Sequence, residues 1–315
     1  MTSIHVESPG MFATVQDLGR SGLGPLGVSA SGAADAASLR LGNRLVGNVA
    51  GAAALEMTLV GGVFIFPEGA VFALTGADFD ATLDDVSIGL WKSVSARPGQ
   101  TLRLGATRDG ARCYLCVAGG IVVESFLGSS STHVLSGLGG FGGRPLRKGD
   151  VLGIGAKAGP FIKRTIAQSA LDHLTGRKVL RVTVGPQSDW FDDSAKHSFY
   201  SGAYLVTEEA NRMGLRLQGP AISWSRTSQM ITEGVALGAI QVPESGHPII
   251  LFVEQQTTGG YPKIANVISA DMHSVGQLRP RDEIRFEPVS FDHAHALQLA
   301  QEQFLNAEEV IEESP

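Results

Sequence analysis

Short runs of Val, Ile, Leu, Phe and Thr, separated by glycine, recur along almost the whole chain and predict a mainly β protein. Expected strands are VFIF (63–66), AVFALTG (70–76), FDATLD (79–84), RCYLCVAG (112–119), VLRVTV (179–184), PIILFVEQ (248–255) and EIRFEP (283–288). The forty glycines are spread rather than clustered, which is how a sandwich or barrel of many short strands reads. A turn leading into a strand recurs as RPGQTLRLG (97–105), RKGDVLGIG (147–155) and RPRDEIRFE (279–287). Each opens on a basic residue and a Pro- or Gly-bearing turn, then alternates like a barrel edge. Two copies before residue 160 and one after 275 point to two related barrels, and their irregular spacing excludes a solenoid.

Helical periodicity is confined to a few segments. Residues 35–46 offer Asp35 as an N-cap, Ala36, Leu39, Leu45 and Val46 along a stripe, and Gly47-Asn48 as a stop. From Asp292 onward, Leu297, Ala300, Phe304, Ala307 and Ile311 share one face, which predicts an outer helix fraying into the acidic end. The β character is weakest over residues 155–177, which include the helical QSALDHL. The expected division is therefore an N-terminal domain over 1–165 and a C-terminal domain with its terminal helix over 166–315.

A length of 315 residues allows two cores, and 43% apolar with 18% charged residues describes a globular chain. A net charge of −6 without a long Lys/Arg block argues against nucleic acid as a partner. The longest apolar run, near residues 69–77, falls far short of the ~20 residues a membrane span needs. MTSIHVESPGM lacks a basic region followed by an apolar stretch, so a cytoplasmic location without membrane contact is expected.

Several familiar patterns carry no chemistry here. Cys113 and Cys116 match C-x-x-C, but in a strand positions i and i+3 point to opposite faces, so both are expected to be structural thiols. Gly137, Gly139 and Gly142 have G-x-G-x-x-G spacing but precede RPLRKGD, a turn into a strand, so a tight β-connection is expected in place of a nucleotide loop. There is no G-x-x-x-x-G-K-[ST] loop and no G-x-S-x-G elbow. The only close histidines, His293 and His295, are i,i+2 at a helix start, and no metal site is expected.

Polar residues gather instead in four glycine-rich segments: TVQDLGR (14–20), SASGAAD (29–35) leading to Arg40, Asn43 and Arg44, NRMGLRLQGP (211–220) and QQTTGGYPKI (255–264). The last is chemically the richest, with hydroxyls and amides before Gly259-Gly260, then Tyr261 and the cation Lys263. Such a loop suits an anion or a developing oxyanion, although turn chemistry alone also makes it a β-hairpin loop whose hydroxyls cap their own backbone. EGVALGAIQVP (233–243) adds Glu233 and Gln241 near the ends of an expected strand pair.

These segments, in order with ALEMTL (54–59), YLCVAGGI, LGSSST (127–132), GLGGFGGRPLRKGD (137–150), GPQSDWF (185–191) and QTTGGYPKIA, make the chain similar to one family. Over about residues 10–290 the chain resembles the family that unites 5-oxoprolinase C subunits with biotin-dependent carboxyltransferases. That family includes allophanate hydrolase subunit 2-like proteins, the Kip-type antagonist of a kinase inhibitor, and the carboxyltransferase part of urea carboxylase. The resemblance implies two cyclophilin-like β-barrel domains with a few short helices, together with partners like the B and A subunits of 5-oxoprolinase. It also implies ATP-dependent hydrolysis of 5-oxo-L-proline to L-glutamate by the whole assembly, with no cofactor bound by this chain alone and no activity in isolation. The alternatives it leaves open are carboxyl transfer to a urea-like amide from biotin carried on a partner, and regulation as an antagonist of a kinase inhibitor. The chain has no Met-Lys-Met biotin tripeptide.

Placement within these motifs assigns Arg20, Arg212 and Lys263 to carboxylate or oxyanion groups, and Thr257, Thr258, Gly259 and Gly260 to substrate positioning. Asp35 and Glu233 are acid/base candidates beside Lys263, with Gln16, Asn43, Gln241 and Tyr261 as orienting hydrogen-bond partners. Residues 255–263 are expected to belong to a site shared between two barrels and completed by another protein of the complex. Ala30, Ser31 and Asp80 depart from the usual pattern and bear on the substrate more than on the fold.

Overall fold

The computed structural model describes residues 2–157, 159–225 and 230–314. The chain forms two compact units, one of residues 1–20, 31–175 and 305–315, the other of residues 21–30 and 176–304. The linear division expected at 165/166 thus differs from the compact units, between which the chain crosses at 20/21, 30/31, 175/176 and 304/305.

In the first unit every strand pair is antiparallel. One sheet runs in the order Ile121–Val122, Val151–Ile154, Ser3–Ser8, Val63–Phe66, Gln100–Arg103, Thr82–Leu83, Val86–Ser87. The other runs Ala13–Gln16, Ala54–Thr58, Arg112–Val117, Ala70–Gly76, Ser93–Ala96. Both sheets contribute to a single core, with Ile4, Phe64, Phe66, Leu102 and Leu152 from the first and Val15, Leu55, Phe72, Leu74 and Leu115 from the second. Helix Ala36–Leu45 covers the outer side of the second sheet. Thr75 Oγ1 donates to Ser38 O at 2.8 Å, and a Cβ at Gly42 would stand 2.6 Å from Cys116 Sγ.

Strand Arg112–Val117 is therefore buried on both faces, which explains the apolar run Cys113–Val117 that follows Arg112. Cys113 points into the core while Cys116 faces the helix, with its Sγ 3.7 Å from Leu39 O. The two thiols are free, buried and on opposite faces, and burial pushes both above the usual thiol range. A disulfide reagent is accordingly expected to titrate no thiol in the native chain and both after unfolding; rapid native labelling would contradict this placement.

The second unit closes into a barrel of Val179–Val184, Lys263–Val267, Ala239–Gln241, Ile249–Leu251, Gly214–Gln218, Tyr204–Val206 and Glu283–Pro288. The ring is closed by the parallel pairing of Val179–Val184 with Glu283–Pro288, with Leu180 opposite Phe286. Closure leaves the barrel without free edges.

The three recurrent turns are built alike. In each the fourth residue donates its N–H to the basic residue's carbonyl: Gln100 to Arg97, Asp150 to Arg147 and Asp282 to Arg279, at 3.1–3.2 Å. The third residue has positive φ in each turn, at Gly99, Gly149 and Arg281.

Other expectations are corrected. FDATLD contributes only Thr82–Leu83 to a sheet, because Asp80, Asp84 and Asp85 adopt positive φ and end the extended run. PIILFVEQ keeps only Ile249–Leu251, since Gln255 N–H folds back to Phe252 O. The terminal helix stops at Asn306, and Ile311 is not on its face. Ile311–Ser314 instead pairs antiparallel with Lys163–Ile166, inside the segment read as weakest in β character. Strand pairing satisfies backbone groups that a frayed end would leave to water, and Glu313 adds a 2.8 Å ion pair with Arg164.

Candidate functional site

The expected site residues fall into two sets, one in each unit. In the first unit, Gln16 ends strand Ala13–Gln16 and is fully buried. Its Nε2 donates to Thr14 Oγ1 at 3.0 Å and to Thr132 O at 3.1 Å, while Oε1 has no partner among the described residues. Arg20, also buried, donates from Nη2 to Ser131 O and lies over the Phe126 ring. Asp17 clips the same segment, accepting from Ser129 Oγ at 2.6 Å, Ser131 Oγ at 2.5 Å and Ser130 N at 2.6 Å. TVQDLGR and LGSSST therefore form one hydrogen-bonded unit around Asp17.

Asp35 precedes helix Ala36–Leu45 while Asn43 lies in its last turn, and the two do not meet. Asp35 is the N-cap, accepting from Ser38 N at 2.9 Å and Ser38 Oγ at 2.6 Å, and its own N–H donates to Tyr114 Oη. Tyr114 in turn donates to the buried Glu56, and burial, with Glu56 and Asp35 nearby, pushes the phenol well above its usual range. Asn43 donates to Ala50 O and Ala52 O and accepts from Asn48, fixing the loop after the helix. At 1.5 Å rise per residue the two lie about 12 Å apart along the helix. Asp80, the departure from the usual pattern, sits in an exposed turn paired with Arg108.

The second unit gathers the remaining candidates. Lys263, 3% exposed, directs Nζ to Oε1 of Glu233, which is 45% exposed. The same oxygen accepts from Gln187 Nε2 at 2.8 Å, and Lys263 N–H donates to Gln187 Oε1 at 3.2 Å. Glu233 lies in a short strand, Glu233–Gly234, paired with Thr258–Gly259. Hence QQTTGGYPKI is not a self-contained hairpin loop. Its centre is a strand against the Glu233 segment, and Val235 N–H binds Thr257 O. Neither Gly259 nor Gly260 has positive φ. At Gly259 a Cβ would stand 2.4 Å from Gln241 Nε2, so a side chain there would displace that amide.

Gln241 is 2% exposed, and its Nε2 has no partner among the described residues. Together with Gln256, Tyr261, Arg216 and His247 it lines a groove of about 890 Å³. Tyr261 and Thr258 are exposed. Arg212 faces a different partner, binding the buried Glu254 through Nε at 2.5 Å.

Lys263, and after it Gln187, hold the Glu233 carboxyl below the usual carboxylate range. A depressed folded pKa contributes stability that is complete above the unfolded-state value of ~4.3 and is lost as pH falls through the folded one. The stability difference between wild type and Glu233→Gln is therefore expected to hold steady from pH 7 to about 5 and to shrink below about pH 4. Thermal unfolding across that range checks it, and a difference that grows on acidification would contradict an ionised pair.

Two residues that hold this arrangement, Gln187 and Glu254, were not singled out by the sequence. Gln187 stands 76 residues from Lys263, and its place in GPQSDWF, a Gly-Pro turn after a regular strand, is what marks it. Among the described residues no three His, Cys, Asp or Glu side chains gather as a metal-holding group, and no helix is long and apolar enough to cross a membrane.

A family model described as carboxyltransferase domain, subdomain A and B, matches residues 26–288. The chain is 40% identical over 285 residues to the 5-oxoprolinase C subunit of Escherichia coli (strain K12), covering 90% of this chain and 91% of that protein. It is 36% identical over 294 residues to the 5-oxoprolinase C subunit of Haemophilus influenzae, covering 93% and 94%. Among solved structures, urea amidolyase of K. lactis superposes with a TM-score of 0.91 at 33% identity, covering 96% of this chain but only 20% of that one.

Proposed function

The chain belongs to the carboxyltransferase family of subdomains A and B, and on that premise we propose that it serves as the C subunit of an ATP-dependent 5-oxoprolinase. The assembly would hydrolyse 5-oxo-L-proline to L-glutamate with A-like and B-like partners, and this chain would be inactive alone. The two bacterial relatives named as 5-oxoprolinase C subunits, aligned over at least nine-tenths of both lengths, support the reading.

The observation that carries the chemistry is a buried ammonium, Lys263, held by a half-exposed carboxylate. When water adds to the lactam carbonyl, negative charge builds on oxygen, and a pre-placed cation in a poorly solvated site lowers that barrier. Substrate would exchange with Glu233 at the ammonium. The released, ionised carboxylate then accepts a proton from the attacking water and passes it to the ring nitrogen as the C–N bond breaks, which frees the amine of glutamate. Thr257, Thr258, Gly260 and Tyr261 would position the substrate, Thr258 from the strand paired with the Glu233 segment, and Gln241, opposite Lys263 in the barrel, has an amide nitrogen without a partner among the described residues. ATP is assigned to a partner, since this sequence has no phosphate loop.

The match to urea amidolyase favours a second reading, carboxyl transfer from a partner's biotin to a urea-like amide, in which Lys263 would hold the carboxylate in transit. Supplying the purified assembly with ATP and either 5-oxo-L-proline, or urea with bicarbonate and a biotinylated partner, separates them. Glutamate in the first supports hydrolysis; a carboxylated amide in the second, with no glutamate, overturns it.

A further inference from the structure

Gln187 makes contacts that an ordinary surface amide does not. Strand Val179–Val184 runs into Gly185, whose N–H donates to Ile264 O at 2.9 Å, and a Cβ there would stand only 2.6 Å from the Ile264 carbonyl carbon. That glycine lets the turn lie against the strand carrying Lys263. Gln187 N–H then donates to Lys263 O at 3.3 Å, and Gln187 Oε1 accepts from Lys263 N–H at 3.2 Å. The other end of the same amide, Nε2, donates to Glu233 Oε1 at 2.8 Å, the oxygen that also receives Lys263 Nζ.

The contacts close a ring from Gln187 to the Lys263 backbone, out along the lysine side chain to Glu233, and back to Gln187. Each end of the amide has a fixed role, because its oxygen meets an N–H and its nitrogen a carboxylate. Nothing else about the pair demands such a device. Arg181 and Asp271, another ion pair of this unit with the acid at 0% exposure, hold together through the arginine's own N–H and guanidinium.

We infer that Gln187 is a positioning residue that sets the placement of Lys263 Nζ and the orientation of the Glu233 carboxylate. The inference rests on the proposed roles of that lysine and carboxylate. Gln187 touches no substrate; it acts through the two groups it joins. Its bond to Glu233 also contributes to the lowered proton affinity of that carboxyl, after Lys263.

The test uses the full chain labelled with carboxyl-13C glutamate, the Glu233 signal being identified by its loss in Glu233→Gln. Gln187→Ala is expected to raise the Glu233 titration midpoint. Gln187→Glu, of equal length, puts a second carboxylate against it and is expected to raise it further. Thermal unfolding establishes that each variant is folded, and the isosteric variant decides if the alanine variant is not. In the assembled enzyme Gln187→Ala is expected to lower kcat roughly tenfold or more with little change in KM, and to move the acidic limb of the pH–rate profile upward. An unchanged Glu233 midpoint in both variants, or a rate loss with an unmoved acidic limb, overturns the inference. A wild-type assembly that hydrolyses no lactam overturns the functional reading instead, and the midpoint then decides the role of Gln187 by itself.

Discussion

Replacement of Lys263 by alanine is expected to lower kcat for lactam hydrolysis in the assembled enzyme by roughly 10²–10³-fold, the range for removing one preorganised oxyanion donor. The fold should hardly notice. The partner Glu233 is 45% exposed and returns to water when the ammonium is removed, so the substitution strands no charge away from solvent. Activity and stability therefore separate at this position. Lys263→Arg is expected to recover little, because a planar guanidinium does not occupy the space of an ammonium on a buried stem. Steady-state kinetics beside thermal unfolding checks the pair of statements. A rate within twofold of wild type, or a large loss of stability, would remove Lys263 from the chemistry.

The opposite separation is expected at Arg212. Its guanidinium meets Glu254 with both side chains buried, at 7% and 4% exposure, and Glu254 N–H donates back to Arg212 O at 2.8 Å. Arg212→Met leaves an acid out of water without its cation, which costs about 3–5 kcal/mol. Removing both charges together, in Arg212→Met with Glu254→Leu, should restore most of that loss, since a well-packed apolar pair replaces a buried ion pair at little cost. Urea unfolding of the isolated chain measures both. A single-variant loss under about 1 kcal/mol would show the pair to be solvated in solution. Reduced activity in Arg212→Met would accordingly report on how the start of residues 254–263 is held, in contrast to the anion-binding role expected from the motif.

Much of the architecture was legible because it is written in local rules. The alternating strands, the three basic turns and the Asp35 cap each depend on residues within a few positions of one another. Where several features lay far apart, local patterns were silent. The edge strand Ile311–Ser314 has an acidic, helix-friendly sequence and becomes a strand only because Lys163–Ile166, about 150 residues earlier, offers it backbone partners. Asp17 gathers serines 112–114 positions away, and Gln187 reaches Lys263 across 76. The chemistry of Lys263 and Glu233 was readable as residue types within motifs. Their meeting was not, because a two-residue strand pair carries no periodic signal. Asp35 and Asn43 show the converse, polar residues marked by their motif whose observed bonds cap and close a helix.

As the proposed C subunit, this chain would be an obligatory part of a lactam-hydrolysing assembly. The measurement that decides it is ATP-dependent release of glutamate from 5-oxo-L-proline by the co-expressed partners, with and without this chain. Release that requires the chain, and that Lys263→Ala suppresses while the complex still forms, is the predicted result. Undiminished glutamate release in its absence would contradict the account.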